Sequence, residues 1–173
     1  DNLRARVNEW LVRLGVDYAV EIQPIDEELF KLLLRDTRNP EGPLVHYVDV
    51  GFGVSQILPI LVACLSDRPS TILIEQPELH IHPRLQAELG SLFVEAIHTY
   101  HHQLIVETHS EHLMLRVQKL IRTRKSSPND VCVLYVSRGE DGSSVQQLEL
   151  NERAEFLESW PNGFFPERLQ ELL

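Results

Sequence analysis

The residues best suited to chemistry stand where apolar, strand-like runs stop. Thr71-Ile72-Leu73-Ile74 runs into Glu75-Gln76-Pro77-Glu78, and Leu104-Ile105-Val106 runs into Glu107-Thr108-His109-Ser110. A buried strand that ends abruptly in an acid holds that carboxylate at the edge of its sheet. There Glu75 can hold a hydrated magnesium ion, which takes one or two protein carboxylates together with phosphate oxygens. At the equivalent edge of the second run, His109 can hydrogen-bond a terminal phosphate or an attacking water. Thr108 or Ser110 also fits as the cap of a following helix, and capping is compatible with function. A third element lies upstream in Asp49-Val50-Gly51-Phe52-Gly53-Val54-Ser55-Gln56. Glycines let backbone amides approach an anion, and a helix N-terminus directs partial positive charge at it. Ser55 and Gln56 add polar side chains at that place, although a tight turn with a serine cap explains the same residues.

Parallel sheets place ligands beyond the carboxyl ends of their strands, so the elements between these motifs matter. Residues 3 to 14 form an amphipathic pattern with Leu3, Val7, Trp10, Leu11 and Leu14 at helical spacing. Strand-like runs follow at 18–25, 29–35 and 44–50, separated by turn formers, which predicts an antiparallel meander. From residue 51 the rhythm changes. A helix over 55–65, a strand over 71–75, a helix over 83–100, a strand over 103–107, a helix over 111–124 and a strand over 131–136 are expected. Such alternation is the pattern of a parallel sheet covered by helices. Pro83 suits the first turn of its helix. A last strand is expected over 143–150, after a turn from Gly139 to Gly142. The tail holds Trp160-Pro161-Asn162-Gly163-Phe164-Phe165, aromatics expected to dock on this domain or on a partner. The division expected is 1–48 for the first helix and antiparallel strands, 49–137 for the alternating region, and 138–173 for the final strand and tail.

The 173 residues are 43% hydrophobic and carry a formal net charge of −10. That length buries a core without staples, and an acidic surface as a whole does not attract nucleic acid. A local basic cluster, Arg116, Lys119, Arg122, Arg124 and Lys125, reads either as a solvated helix end favoured by the helix dipole or as a local DNA contact. Cys64 and Cys132 lie in apolar runs and are expected to be buried free thiols of a cytoplasmic protein. No apolar run approaches the ~20 residues of a membrane span, so no membrane contact is expected.

Order and spacing together resemble the C-terminal lobe of an ABC-type ATPase head, of the family that includes SMC, RecF and the overcoming-lysogenization-defect proteins. The resemblance runs over residues 49–112; Glu75-Gln76-Pro77-Glu78-Leu79-His80-Ile81-His82-Pro83 is closest to the last group. The closing Phe156-Leu157-Glu158-Ser159-Trp160-Pro161-Asn162-Gly163-Phe164-Phe165 is similar to a C-terminal domain attached to some bacterial members. The fold implied is α/β, a P-loop NTPase-like parallel sheet covered by helices and preceded by a small antiparallel segment. The cofactors implied are ATP and Mg2+. Carried over by position, Gly53, Ser55 and Gln56 look like the signature, Glu75 like the metal-binding Walker B acid, Leu79 to His82 like the D-loop, and His109 like the switch histidine; Gly51 and His82 are expected beside them as cofactor-binding residues.

Two departures change the chemistry expected. Most relatives carry Asp where Glu75 stands, and the longer side chain still permits magnesium coordination. Gln76 occupies the place of the usual catalytic glutamate. A carboxamide can orient a water but cannot accept its proton, so slow hydrolysis is expected unless Glu78 or His109 serves as base. A phosphate-binding loop needs Gly-x-x-x-x-Gly-Lys-Ser/Thr; the lysines here are Lys31, Lys119 and Lys125, and none follows a glycine. The resemblance therefore implies a Walker A-bearing N-terminal half as partner and a head-to-tail homodimer that shares nucleotides. An ATP-gated switch coupled to a nuclease or to DNA, including in phage defence, would fit such relatives. Two other classes compete: a zinc or manganese hydrolase centre built from Glu78, His80, His82 and His109, and a non-catalytic interaction module.

Overall fold

The computed structural model describes residues 2–139, 142–158 and 160–161, with Phe52 described by its backbone. The chain divides into two compact units, Asp1–Leu113 and Met114–Leu173.

In the first unit, helix α1 (Asn2–Arg13) buries Val7, Trp10 and Leu11, the stripe set by its apolar spacing. It stops at Gly15, whose φ of 72° favours glycine. Val16 N donates to Leu11 O and Gly15 N to Val12 O, both at 2.9 Å, which satisfies carbonyls that the helix end leaves open. Strands β1 (Tyr18–Pro24), β2 (Phe30–Asp36) and β3 (Val45–His46) form the expected antiparallel meander in the order β1-β2-β3. The edge of β1 is covered by Asn8, whose Oδ1 accepts from Val20 N at 2.7 Å and whose Nδ2 donates to Val20 O at 3.4 Å. An amide side chain thus takes the place of a neighbouring strand.

The third strand is shorter than its apolar pattern predicts. It gives way to a 3-10 turn over Tyr47–Asp49, and helix α2 (Phe52–Cys64) starts three residues before the expected Ser55. The cause is Gly51, which caps α2 with φ 107° and ψ 155°, a backbone conformation foreign to L side chains. Ser55 accordingly lies in the first turn of α2 rather than capping it. Further along, Pro59 gives no N–H to the Ser55 carbonyl four residues before it.

Strands β4 (Thr71–Glu75) and β5 (Gln103–Glu107) pair in parallel, joined through helix α3 (Pro83–Thr99). Their register sets Glu75 opposite Glu107 and Leu73 opposite Ile105. Ile72, Ile74, Leu104 and Val106 turn to the covered face. Leu73 is 72% exposed and Ile105 55% exposed, so the other face carries apolar side chains in the open.

Polar ties fix these elements. Trp10 Nε1 donates to Glu95 Oε1 of α3 at 3.0 Å, Arg13 reaches Glu95 Oε2 at 3.1 Å, and the Arg13 guanidinium lies 3.6 Å from the Trp10 ring centroid. Arg6 grips Asp67 through two bonds of 2.7 and 2.8 Å. Its hydrogen bonds hold the Asp67 carboxyl below the usual carboxylate range. The buried His102, 4% exposed, accepts from Ser70 N through Nδ1 at 3.1 Å, so its proton sits on Nε2 and is given to Ser66 O at 3.1 Å. Replacing His102 with Leu strands both backbone groups where β4 begins. A loss of about 1–3 kcal/mol is expected in urea denaturation, with Ser70 and Gln103 among the first amides to lose exchange protection; an unchanged midpoint would show that water replaces the ring freely.

Helix α4 (Glu111–Arg122) starts in the first unit and runs into the second. Lys119, Arg122, Arg124 and Lys125 are exposed at its end, as a solvated helix terminus is. Strand β6 (Val133–Gly139) finds a neighbour within its own unit. It turns back at Gly142, φ 125°, into strand β7 (Gly142–Leu148), forming an antiparallel two-stranded sheet. Alternation of strands and helices is silent on which neighbour a strand chooses, and here the local glycine turn chooses it. Within this unit Trp160 meets Phe156 and Tyr135 edge-on, with centroids 4.9 and 6.4 Å apart, so the first tail aromatic docks on its own domain. Asn162 to Phe165 lie outside the described residues. Cys64 is buried as expected, and burial pushes its thiol up to about 12. Cys132, just ahead of β6, is exposed, contrary to expectation, in step with the exposed Leu134 and Val136 of that strand.

Candidate functional site

Three segments of the first unit meet at the carboxyl ends of β4 and β5. Beyond Glu75 the chain does not continue as strand. Proline disfavours the right-handed helical region for the residue before it and favours extended backbone, yet Gln76, preceding Pro77, takes φ 45°. Its N–H still donates to Glu107 O at 2.8 Å, one step past the ladder. His80 follows with φ 60°. Two non-glycine residues in the left-handed region within five positions cost about 1–3 kcal/mol each, and the surrounding bonds must hold them there. Leu79 N donates to Gln76 O at 3.2 Å and Ile81 N to Glu78 O at 3.4 Å, which folds the segment into a compact turn.

The Glu78 carboxylate reaches across to the segment after β5. Oε2 accepts from Thr108 Oγ1 at 2.8 Å and Oε1 from His109 N at 2.5 Å. Thr108 Oγ1 in turn accepts from Ser110 N at 3.0 Å. Ser110 caps α4 by accepting from Leu113 N at 3.1 Å, as its sequence position anticipates, and donates to Gln86 Oε1 at 2.7 Å. The Gln86 amide closes the ring by donating to Glu78 O at 3.3 Å and Ile81 O at 3.2 Å.

The third segment is the start of α2. A Cβ added at Gly53 would lie 3.6 Å from His80 O and 3.7 Å from Ile81 Cγ2, so the helix stands directly against the turn. Ser55 is half-buried and Gln56 exposed in the same helical turn. Glu75 is exposed at the sheet edge beside Glu107, and His109 is exposed on the neighbouring segment. The chemistry of Glu75 suits a hydrated divalent cation. His82 is committed locally, since its Nδ1 accepts from Arg84 N at 3.2 Å and it caps α3 ahead of Pro83.

The metal-hydrolase alternative is not supported. Among the described residues no three His, Cys, Asp or Glu side chains gather to hold a metal ion. Glu78 is turned toward Thr108 and the His109 backbone, and His82 toward its own helix, so the four residues do not converge. Gln86 and Glu107 are the participants that sequence reasoning passes over. The register of β4 with β5 pairs Glu107 with Glu75, and Gln86 is an ordinary polar residue until the turn folds onto it.

A family model described as "AAA domain, putative AbiEii toxin, Type IV TA system" matches residues 11–115. No curated protein sequence matches the chain. Among solved structures, the chain is similar at 12% identity and TM-score 0.64 to an Smc head bound to the C-winged helix domain of ScpA, covering 87% of this chain and 43% of that one. At 12% identity and TM-score 0.61 it is similar to a chain described under ATP-driven dimerization and DNA-stimulated activation of SMC ATPases, covering 98% and 90%. A Pyrococcus furiosus Smc head with an extended coiled coil, bound to the C-terminal domain of ScpA, aligns at 12% identity and TM-score 0.61 over 85% and 34%. The chain therefore spans less than half the length of two of these three structures. The likeness establishes an SMC ATPase head-like α/β fold. Among the described residues no helix is long and apolar enough to cross a membrane.

Proposed function

Since the chain belongs to the AAA domain family of putative AbiEii toxins, and so is an AAA-type ATPase domain, we propose that it is the lobe that completes a nucleotide site held by another half. The observation that supports this reading best is the convergence of three segment ends: Glu75 and Gln76 at the end of β4, His109 after β5, and the glycine-led start of α2 at Gly53 beside the turn between them. In this reading Glu75 holds the magnesium ion of a bound ATP. His109 contacts the terminal phosphate, Gln76 orients the water, and Gly51 to Gln56 face the nucleotide of a second subunit. Bound magnesium supplies charge neutralisation at the phosphates; the chain's own residues position and hold.

The bare face of the β4–β5 pair accords with a completing half. Parallel sheets occur with both faces covered, and here Leu73 and Ile105 are open. A Walker A-bearing half would extend and cover this sheet, and two such heads would close head-to-tail on shared ATP. Gln76 makes that closed state long-lived, so the assembly works as an ATP-gated switch rather than a fast hydrolase. A nuclease or DNA as the output, in defence against phage, fits this family position. The acidic net charge of −10 argues for direct DNA contact elsewhere than on the bulk of this lobe.

Calorimetry tests the division of labour. Residues 1–173 alone are expected to bind Mg-ATP with a Kd above about 1 mM, whereas the complete protein binds in the ordinary micromolar range. Micromolar binding by the isolated segment would overturn the proposal. Full function of Glu75→Ala in cells would favour the interaction-module alternative.

A further inference from the structure

We propose that Glu78 and Gln86 are positioning residues that make the turn after β4 and the histidine segment after β5 move as one body. The inference rests on the nucleotide-site reading above and assigns two residues to it by their bonds. Each group in the ring has a single role available. The Thr108 hydroxyl proton goes to the Glu78 carboxylate, because its oxygen already accepts from Ser110 N. The Ser110 hydroxyl proton goes to Gln86, because its oxygen already accepts from Leu113 N. That fixes the Gln86 amide with its NH2 toward the carbonyls of Glu78 and Ile81. A ring with one consistent assignment of donors and acceptors resists partial opening, since breaking one bond in a half-buried polar network leaves the others poorly matched.

The consequence is mechanical. His109 cannot shift its backbone without releasing Glu78, and Glu78 cannot shift without moving His80 and Ile81, which stand against Gly53 at the start of α2. A change at His109 therefore reaches, through the polar ring, the turn that lies beside the glycine-led helix. The same geometry assigns Glu78 to holding rather than to proton acceptance, because both carboxylate oxygens are engaged by the His109 segment.

The experiment uses the complete protein and two readouts. In Glu78→Ala, single-turnover ATP hydrolysis should fall by about 10²-fold, the scale of a small misplacement of a reacting group, with KM for ATP changed less than about twofold. Glu78→Gln keeps an acceptor oxygen for the His109 amide and should recover most of that loss; equal loss in Gln and Ala variants would make Glu78 a base and overturn the proposal. Thr108→Ser should behave as wild type and Thr108→Val should not. In a His109→Ala background, Glu78→Ala should add no further loss; losses that multiply would overturn it. The second readout needs no nucleotide. Amide exchange over residues 105–113 should rise in Glu78→Ala and Gln86→Leu, and unchanged exchange would show that the ring does not tie the segments. If exchange responds as expected while His109→Ala leaves turnover untouched, the nucleotide-site reading falls and the structural link stands.

Discussion

Gln76→Glu is expected to raise ATP hydrolysis by the complete protein about 10²- to 10⁴-fold, the range a positioned general base contributes. The side chains are nearly equal in size, so the left-handed backbone at this position, φ 45°, and its N–H bond to Glu107 O need not change. What changes is the ability to take a proton from water. The gain should come with a new acid limb in the pH profile of the turnover number, since a carboxylate loses its basic form as pH falls through its pKa and a carboxamide has none to lose. ATP affinity should stay within a few tenths of a kcal/mol, because the change acts on the reaction and not on the phosphates. Measurement is a single-turnover assay with the Walker A half present. An unaltered rate would mean that residue 76 does not face the water, and the slow-switch reading would be lost with it.

Trp10→Ala is expected to have the largest effect on stability, about 3–5 kcal/mol, typical of truncating a buried indole. Trp10 is 2% exposed, and its ring carries three separate duties. It fills the contact between α1 and the rest of the first unit, donates to Glu95, and supports the Arg13 guanidinium. Truncation leaves a cavity, and it leaves Glu95 with Arg13 alone. Trp10→Phe separates the contributions: the packing largely remains while the N–H is lost, and about 1 kcal/mol should go. Both values are read from urea unfolding followed by circular dichroism. A Phe variant as damaged as the Ala variant would mean that the hydrogen bond, and not the cavity, dominates.

Elements bounded by hard punctuation are legible in the sequence itself. β4 and β5 run from 71 to 75 and from 103 to 107, because each is a short apolar run between polar neighbours. α3 begins at Pro83, where proline needs no hydrogen bond. Where tertiary partners decide, the pattern misleads. The apolar stretch after Pro43 promises a full strand, but Gly51 turns the chain into α2 and leaves only Val45 and His46 paired. Rhythm alone does not say which neighbour β6 takes, and a local glycine turn pairs it with β7. The ends of β4 and β5 can be located from the chain alone, since an acid or a histidine after an apolar run is visible in one dimension. The ring from Glu78 to Gln86 cannot. Its bonds reach across as many as 31 residues of chain. Only the register of β4 with β5 brings Thr108 and Ser110 to a turn that two left-handed residues have folded.

The two cysteines make the molecule addressable without further engineering. Maleimides react with thiolate, and the Cys64 thiol, buried with its pKa raised to about 12, presents almost none at neutral pH. Cys132 stands exposed just ahead of β6. A fluorophore or spin label offered to the native protein should therefore settle at one position. That position reports on the second unit while leaving Glu75, Gln76 and His109 untouched.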